Sequence, residues 1–355
     1  MAMVILTGGG TAGHVTPNLA LVPGLAERGI SVRYIGSKNG MEKELVSEAG
    51  IPYDGISVGK LRRYFSLKNF TDPFRVLAGI SQAKKLMKRY RPAAVFSKGG
   101  FVSLPVVIAA SRKKIPVILH ESDMTPGLAN RLCLRYAKTL CCNFPETVKT
   151  LPEGRAVLTG CPIRAELLSG SREEGLKMTG FTGEKPVLLV IGGSLGSEFL
   201  NETVRAALPA LLAKYDVVHL TGAGRVSKES EQPGYVQFEY VKEPLRHLFA
   251  LADTVISRAG ANAICELLAL KKPALLIPLS RAASRGDQIL NARSFAAQGF
   301  SIMKEEEDVT AENLPEALAE LEEQRDALIG AMSQAHTSDG TKNVLALIEK
   351  AIGSK

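Results

Sequence analysis

The feature that most constrains this chain is a unit that occurs in both halves: a short apolar run that empties into glycines, followed at once by a helical pattern. Residues 4–6 run into Gly8, Gly9 and Gly10, and Leu19, Leu21, Val22, Leu25 and Ala26 then keep a helical spacing as far as Gly29. Residues 187–191 run into Gly192-Gly193-Ser194-Leu195-Gly196. Further strand-length runs at 32–35, 94–96, 117–120, 140–142 and 156–158, and again at 217–220, 236–238, 254–257 and 274–278, alternate with helical stretches such as 41–48. This alternation predicts parallel sheets with helices on both faces. The restart at residue 187 predicts an α/β chain of two Rossmann-like, doubly wound domains, joined near Gly160-Cys161-Pro162. The length of 355 residues suits two domains. Residues 343–351 read as a final helix able to pack on either.

Composition excludes several classes. With 45% apolar and 23% charged residues, the chain has enough apolar surface to offset its conformational entropy. No apolar run reaches the ~18–20 residues needed to span a bilayer, and the first residues lack the basic start of a secretory signal. Five cysteines without a C-x-x-C spacing indicate neither a disulfide framework nor a zinc site, so a reducing cytoplasm is expected.

Charge is unevenly placed. Residues 1–160 hold 23 Lys/Arg against 10 Asp/Glu, a net of +13, whereas residues 161–355 hold 21 against 26, a net of −5. An anionic partner is therefore expected on the first half only. Residues 60–91 concentrate this charge: ten Lys/Arg and one acid, Asp72, interleaved with Tyr64, Phe65, Leu67, Phe70, Phe74, Val76 and Leu77. Cations mixed with aromatic and apolar side chains fit an anionic membrane surface. No recognised RNA or DNA motif accompanies the run, so no nucleic-acid partner is expected.

Four glycine-bearing loops follow strands. Gly8, Gly10 and Gly13 match G-x-G-x-x-G, which lets backbone approach an anion at a helix start. A nicotinamide dinucleotide would also want an acid at the end of the second strand, but that strand ends Tyr34-Ile35-Gly36-Ser37-Lys38. Gly192 to Gly196 also fit the G-x-S-x-G nucleophile elbow, with Asp253 and His336 downstream of Ser194, but no oxyanion loop of the H-G-G-G type is present. The other two loops are Ser97-Lys98-Gly99-Gly100-Phe101 and Ser257-Arg258-Ala259-Gly260-Ala261-Asn262. Loops at strand ends shared between two domains predict a cleft lined with anion sites.

Seven motifs in order carry a resemblance: Gly9-Gly10-Thr11-Ala12-Gly13-His14, Ser97-Lys98-Gly99-Gly100-Phe101, His120-Glu121, Gly160-Cys161-Pro162-Ile163-Arg164, Gly192-Gly193-Ser194-Leu195-Gly196, Arg258-Ala259-Gly260-Ala261 with Glu266, and Asp287-Gln288. From about residue 4 to 291 the chain resembles glycosyltransferase family 28. These bacterial enzymes transfer N-acetylglucosamine from UDP-N-acetylglucosamine to undecaprenyl-pyrophosphoryl-muramoyl-pentapeptide, converting lipid I to lipid II in peptidoglycan synthesis. The resemblance implies two Rossmann-like domains facing across a cleft (GT-B). Residues 1–161 would form an acceptor- and membrane-binding domain, 162–340 a UDP-sugar domain, and 341–355 a helix packing back on the first domain. It also implies a peripheral protein on the cytoplasmic face of the cell membrane, with cell-wall synthesis proteins as further partners. The chain departs from the family at Ala12, where Gly is frequent, and at Ser122-Asp123, where many members carry Gln-Asn.

The implied reaction is inverting and needs a base near the acceptor hydroxyl and stabilisation of the leaving pyrophosphate. No D-x-D occurs in the chain, so no metal or other cofactor is expected, and helix N-termini with backbone N–H groups would stabilise the leaving group. His14 and Glu121 are the two candidate bases, with His14 expected to be neutral because it starts a helix, and His120 expected to be structural. By resemblance Thr11, Ala12 and Gly13 offer backbone to a substrate. Arg164 and Ser194 bind the donor, and Ala261, Asn262, Ala263, Ile264, Cys265 and Glu266 cradle the nucleotide, with Glu266 on the ribose. Val241 meets uracil through its backbone, and Gln288 holds the sugar. Another two-Rossmann UDP-sugar enzyme, such as an epimerase, is the runner-up, and a UDP-binding module without turnover is the non-enzyme alternative.

Overall fold

The computed structural model describes residues 2–59, 68–193, 196–241, 244–282 and 286–353. The chain divides into two compact units, Met1–Arg164 together with Asp339–Lys355, and Ala165–Ser338.

The first unit holds a seven-stranded parallel sheet made of β1 (Met3–Thr7), β2 (Ser31–Ser37), β3 (Tyr53–Ile56), β4 (Ala94–Ser97), β5 (Val117–Glu121), β6 (Thr139–Cys142) and β7 (Ala156–Leu158). Their order is β3-β2-β1-β4-β5-β6-β7. Val4 pairs with Val32 on one side and with Ala94 on the other. Helices cover both faces, which is why these strands read as continuous apolar runs rather than alternating ones. On one face Val4, Leu6, Phe96 and Ile118 pack against Val15, Leu21 and Leu25. On the other, Ile5, Val95, Val117 and Leu119 pack against Ile80, Ala83 and Met87 of the helix Lys68–Tyr90 and against Val106 to Ala110. The terminal helix Gly340–Gly353 packs on this unit, placing Val344, Leu345 and Ile348 in the core beside Val4 and Leu6. Asn343 Nδ2 and the Thr341 hydroxyl tie it to Thr159 O and Ile163.

The second unit repeats the plan with β8 (Val187–Ile191), β9 (Asp216–Leu220), β10 (Tyr235–Phe238), β11 (Thr254–Ser257), β12 (Ala274–Leu276) and β13 (Ile302–Met303), in the order β10-β9-β8-β11-β12-β13. Leu189 pairs with Val218 and Val255, the counterpart of Val4 in the first sheet. The edge strands β3 and β13 are absent from the sequence expectations. Tyr53-Asp54-Gly55-Ile56 has no apolar run and β13 is two residues long, so tertiary pairing rather than local pattern makes them strands.

Candidate active site

Each sheet has one place where strand order reverses, between β1 and β4 in the first unit and between β8 and β11 in the second. In open α/β sheets ligands bind outside the carboxyl ends of the strands at such points. The glycine loops that the sequence singled out lie there.

In the first unit the loops after β1 and β4 pack on each other. Gly100 has φ +80°, and a Cβ on it would stand 2.2 Å from Gly9 O; Gly10 has φ +91°, and a Cβ there would stand 2.7 Å from the Phe101 ring. Only glycine fits either position. A buried frame fixes the first loop from below. The Tyr34 hydroxyl donates to Gly8 O (2.9 Å), and Asn18 Nδ2 donates to Thr7 O (3.1 Å) and to the Tyr34 hydroxyl (3.0 Å). Glu42, fully buried in the first turn of the helix Met41–Glu48, accepts from Ser37 N (2.9 Å) and Gly10 N (3.3 Å). An acid therefore does stand beside this loop, five residues beyond the strand end, but it is spent on the chain's own backbone. Sequence reading passed over Glu42, Asn18 and Tyr34, because nothing local distinguishes them from ordinary helix and strand residues.

His14 closes a short 3-10 turn, Ala12–His14, and the Thr11 hydroxyl lies 3.1 Å from its Nδ1. Its pKa is lowered to about 4, first by burial and then by the charge of Lys98, with the Gly9 backbone opposing. Burial and Lys98 thus favour the unprotonated ring, which ends the 3-10 turn two residues before the helix Thr16–Ala20. Lys98 itself is 1% exposed. Its ammonium donates to His120 Nδ1 (2.9 Å) and to the Ser122 hydroxyl, both neutral partners. His120 Nε2 donates to Gly160 O (3.0 Å), and burial with Lys98 holds the ring well below the usual histidine range.

Glu121, the other base candidate, ends β5 with both oxygens occupied. Oε1 accepts from Ser122 N (2.9 Å) and Asp123 N (3.2 Å); Oε2 accepts from Gly127 N (2.9 Å) and Asn130 Nδ2 (2.9 Å). Burial pushes its pKa up, while the bonds from Asn130 and Gly127 oppose the rise. The arrangement is that of a carboxylate organising the loop after β5.

In the second unit the loops after β8 and β11 stand at the β8/β11 switch. Gly260, φ −64°, precedes the helix Ala261–Leu270 and brings no side chain to its first turn, where the backbone N–H groups of Ala261, Asn262 and Ala263 lie. Ile264 and Cys265 are buried, and Glu266 is half-buried one turn along the same helix. The loop after β8 ends in Ser197, whose hydroxyl caps the helix Glu198–Lys214 by accepting from Leu200 N (3.3 Å). Gly196, φ +73°, lies so close to Thr221 that a Cβ would stand 2.1 Å from its carbonyl oxygen. Arg258, buried at the end of β11, donates to Ser197 Oγ (Nε, 3.1 Å), Ile277 O (3.0 Å) and Pro278 O (3.2 Å), and it pairs with Glu306. It ties the glycine loop, β12 and the segment around Glu306 together; no role for it was read from the sequence.

The remaining expectations place as follows. Gln288, in the first turn of the helix Asp287–Ala297, accepts from Leu279 N (3.0 Å) through Oε1. Val241 is buried in the loop after β10. Arg164 is the last residue of the first unit, with Nε buried and unpartnered among the described residues. Ser194 lies outside the described residues. The hydrolase triad fails on geometry: Asp253 accepts from the N–H of Val187, the first residue of β8, and pairs with Arg172. It therefore stands at the amino end of β8, whereas Gly192 and Gly193 follow the carboxyl end.

On the helix Lys68–Tyr90, Ile80, Ala83 and Met87 face the core, while Phe74 and Leu77 are 73% and 63% exposed. Lys84, Lys85, Lys88, Arg112, Lys113 and Ser81 line a surface groove of about 360 Å³. Residues 60–67, which carry three of the cations and three of the apolar side chains of this stretch, lie outside the described residues. No described helix is long and apolar enough to cross a membrane.

Comparison with known proteins agrees with this arrangement. The sequence model of the glycosyltransferase family 28 N-terminal domain matches residues 4–141, and that of the family 28 C-terminal domain matches residues 187–348. A Lachnospira eligens protein curated as UDP-N-acetylglucosamine–N-acetylmuramyl-(pentapeptide) pyrophosphoryl-undecaprenol N-acetylglucosamine transferase is 58% identical over 98% of this chain and 99% of its own. The Lachnoclostridium phytofermentans transferase of the same name is 57% identical over 99% of each. Among solved structures, Acinetobacter baumannii MurG superimposes with a TM-score of 0.78 at 27% identity, covering 99% of this chain and 100% of that one. With both domain models matched in order on its two Rossmann-like units, the chain belongs to glycosyltransferase family 28.

Proposed function

We propose that this chain is the inverting hexosaminyltransferase that moves N-acetylglucosamine from UDP-N-acetylglucosamine to the muramoyl 4-hydroxyl of lipid I, yielding lipid II for peptidoglycan synthesis. The observation that carries this reading is the 58% identity, over nearly the whole of both chains, to a transferase curated with that substrate pair.

Within the first unit, Thr11, Ala12 and Gly13 present backbone to the acceptor beside His14. The neutral imidazole, with Nδ1 held by Thr11, accepts the hydroxyl proton at Nε2. We assign the base to His14 rather than Glu121, because the Glu121 carboxylate already accepts four hydrogen bonds. Within the second unit, the N-terminal turn at Ala261 to Ala263 meets the UDP pyrophosphate, aided by Ser194, and Glu266 accepts from the ribose hydroxyls. Arg164, whose buried Nε lacks a partner among the described residues, serves as a further anion ligand. Val241 meets uracil, and Gln288 holds the sugar through its amide donor.

The first unit also docks on the cytoplasmic face of an anionic membrane. Exposed Phe74 and Leu77 beside Lys84, Lys85 and Lys88 support a peripheral attachment in which apolar side chains enter the interface and cations meet lipid phosphates.

The decisive test is UDP release from UDP-N-acetylglucosamine with and without a lipid I analogue, each repeated in excess EDTA. Rapid release only with the acceptor, retained in EDTA, is the expected outcome. Release of UDP at the same rate without acceptor, or conversion of the free sugar nucleotide, would instead favour a hydrolase or an epimerase.

A further inference from the structure

The first glycine loop is built around an acid. Glu42 is fully buried in the first turn of the helix Met41–Glu48. Its Oε1 accepts from Ser37 N (2.9 Å) and from the Ser37 hydroxyl, and its Oε2 accepts from Gly10 N (3.3 Å). Two glycines make room for the carboxylate. A Cβ on Gly9 would stand 2.7 Å from Glu42 Cδ, and one on Gly40 would stand 2.3 Å from both carboxylate oxygens. The hydroxyls of Tyr34 and Tyr53 face the same place but donate elsewhere, to Gly8 O and Ser37 O. Each carboxylate oxygen is thus met by a backbone N–H, which suits an acceptor-only, ionised group.

This is the reverse of what a diphosphate-binding turn offers. Such a loop presents free N–H groups to the anion, its second glycine lets backbone approach the pyrophosphate, and the acid after the second strand turns outward to a ribose. Gly10 is that second glycine here, yet its N–H points to the chain's own carboxylate, and the acid faces the loop. The second unit differs at the matching place. β9 flanks β8 as β2 flanks β1. The stretch after β9, Thr221-Gly222-Ala223-Gly224-Arg225, has no acid, and Gly222 N donates to Glu239 O (3.0 Å). Five residues beyond the end of the strand stands Glu42 in the first unit and Arg225 in the second.

We propose that Glu42 is a specificity-determining residue: its buried carboxylate, seated on Gly10 N–H, closes the Rossmann loop of the first unit to nucleoside diphosphates, so that UDP and the UDP-sugar are taken by the second unit alone and the first stays open to the acceptor. A diphosphate laid across Gly9 and Gly10 would meet a fixed like charge with little water to screen it, and would find the Gly10 N–H already engaged. The acceptor, met by Thr11 to Gly13, lies past that N–H. This inference rests on the reading of the second unit as the UDP-sugar site, and the test separates the two.

The experiment counts UDP bound per full-length chain by calorimetry, in the wild type and in Glu42→Gln. The glutamine keeps the volume; with its Oε1 on Ser37 N, its Nε2 donor faces Gly10 N, so the charge is removed and the loop N–H is released. The wild type should bind one UDP. Glu42→Gln should bind two, the affinity of the first loop rising by about tenfold or more, and the added site should survive in the double variant Glu42→Gln, Glu266→Ala. UDP should also become a competitor of the acceptor in Glu42→Gln. A merely structural role for Glu42 would lower the melting temperature and turnover without adding a UDP. A folded Glu42→Gln that binds one UDP overturns the proposal. So does a wild type that binds two, a result needing no variant. If the wild type binds none and Glu42→Gln binds one, Glu42 acts as proposed, and it is the assignment of the second unit to UDP that falls.

Discussion

The two units carry the same strand order and put the same kind of residue at the same place, yet use it differently. Ser97-Lys98 ends β4 and Ser257-Arg258 ends β11, each strand being the one across the switch point from the first glycine loop. Both cations are buried. Arg258 is spent: Glu306, Ser197, Ile277 and Pro278 take its donors, and it acts as a clamp. Lys98 makes its hydrogen bonds to neutral groups, His120 and the Ser122 hydroxyl, with the Glu121 carboxylate and the His14 ring within reach of its charge. A planar guanidinium with five donors suits a clamp among several acceptors, whereas a compact ammonium acts as a point charge. Both units thus carry a buried cation at the switch point, one in a direct ion pair and one held by neutral hydrogen-bond partners.

The largest expected effect lies on the Lys98 side of this contrast. Replacing His14 with Ala should lower turnover by about 10²–10⁴-fold while leaving UDP affinity nearly unchanged, as measured by steady-state kinetics and calorimetry. Loss of turnover in Glu121→Ala alone would transfer the role to Glu121.

On the clamp side, Glu306→Ala leaves Arg258 buried without its anion. It should destabilise the chain by about 3 kcal/mol in urea unfolding, the low end for a broken buried pair because the carbonyl and Ser197 partners remain. Lys98→Met leaves the buried His120 Nδ1 without its donor but no ion pair broken, and should cost less, about 1 kcal/mol, in the same assay. Equal losses for the two would erase the distinction between the ion-paired cation and the one with neutral partners.

Glu266→Ala sharpens the division of labour between the units. Loss of charge-assisted hydrogen bonds costs about 1.5–3 kcal/mol, which weakens UDP binding by roughly 10- to 150-fold with acceptor-side residues untouched. Unchanged UDP affinity in a folded variant would remove Glu266 from the donor site.

The smallest effect on chemistry is expected at the surface. Reversing Lys84, Lys85, Lys88 and Arg89 to Glu should abolish flotation with anionic vesicles at low salt while a water-soluble acceptor analogue still turns over. For the wild type, flotation should weaken as salt shortens the Debye length from about 10 Å at 0.1 M to about 3 Å at 1 M. A reversed variant that still floats would place the docking surface elsewhere than on the exposed face bearing Phe74 and Leu77.

What the sequence by itself determined is the α/β architecture, the two restarts of the Rossmann pattern and the positions of the glycine loops. Each rests on local rules: strands buried on both faces read as unbroken apolar runs, and turns with positive φ, as at Gly10, Gly100 and Gly196, demand glycine. The order of the glycine, His14 and Glu266 motifs carried the family. Tertiary structure alone decided what depends on burial and on contacts across sequence distance. It made Glu42 a loop anchor 32 residues from Gly10, spent Glu121 on the chain after β5 and Asp253 at the amino end of β8, and paired Arg258 with a carboxylate 48 residues away. Lys98 was visible in its motif from the start, but a lysine in sequence has no dielectric surroundings. Only folding, which removes water and supplies His120 and Ser122 as partners, sets its charge within reach of both His14 and Glu121.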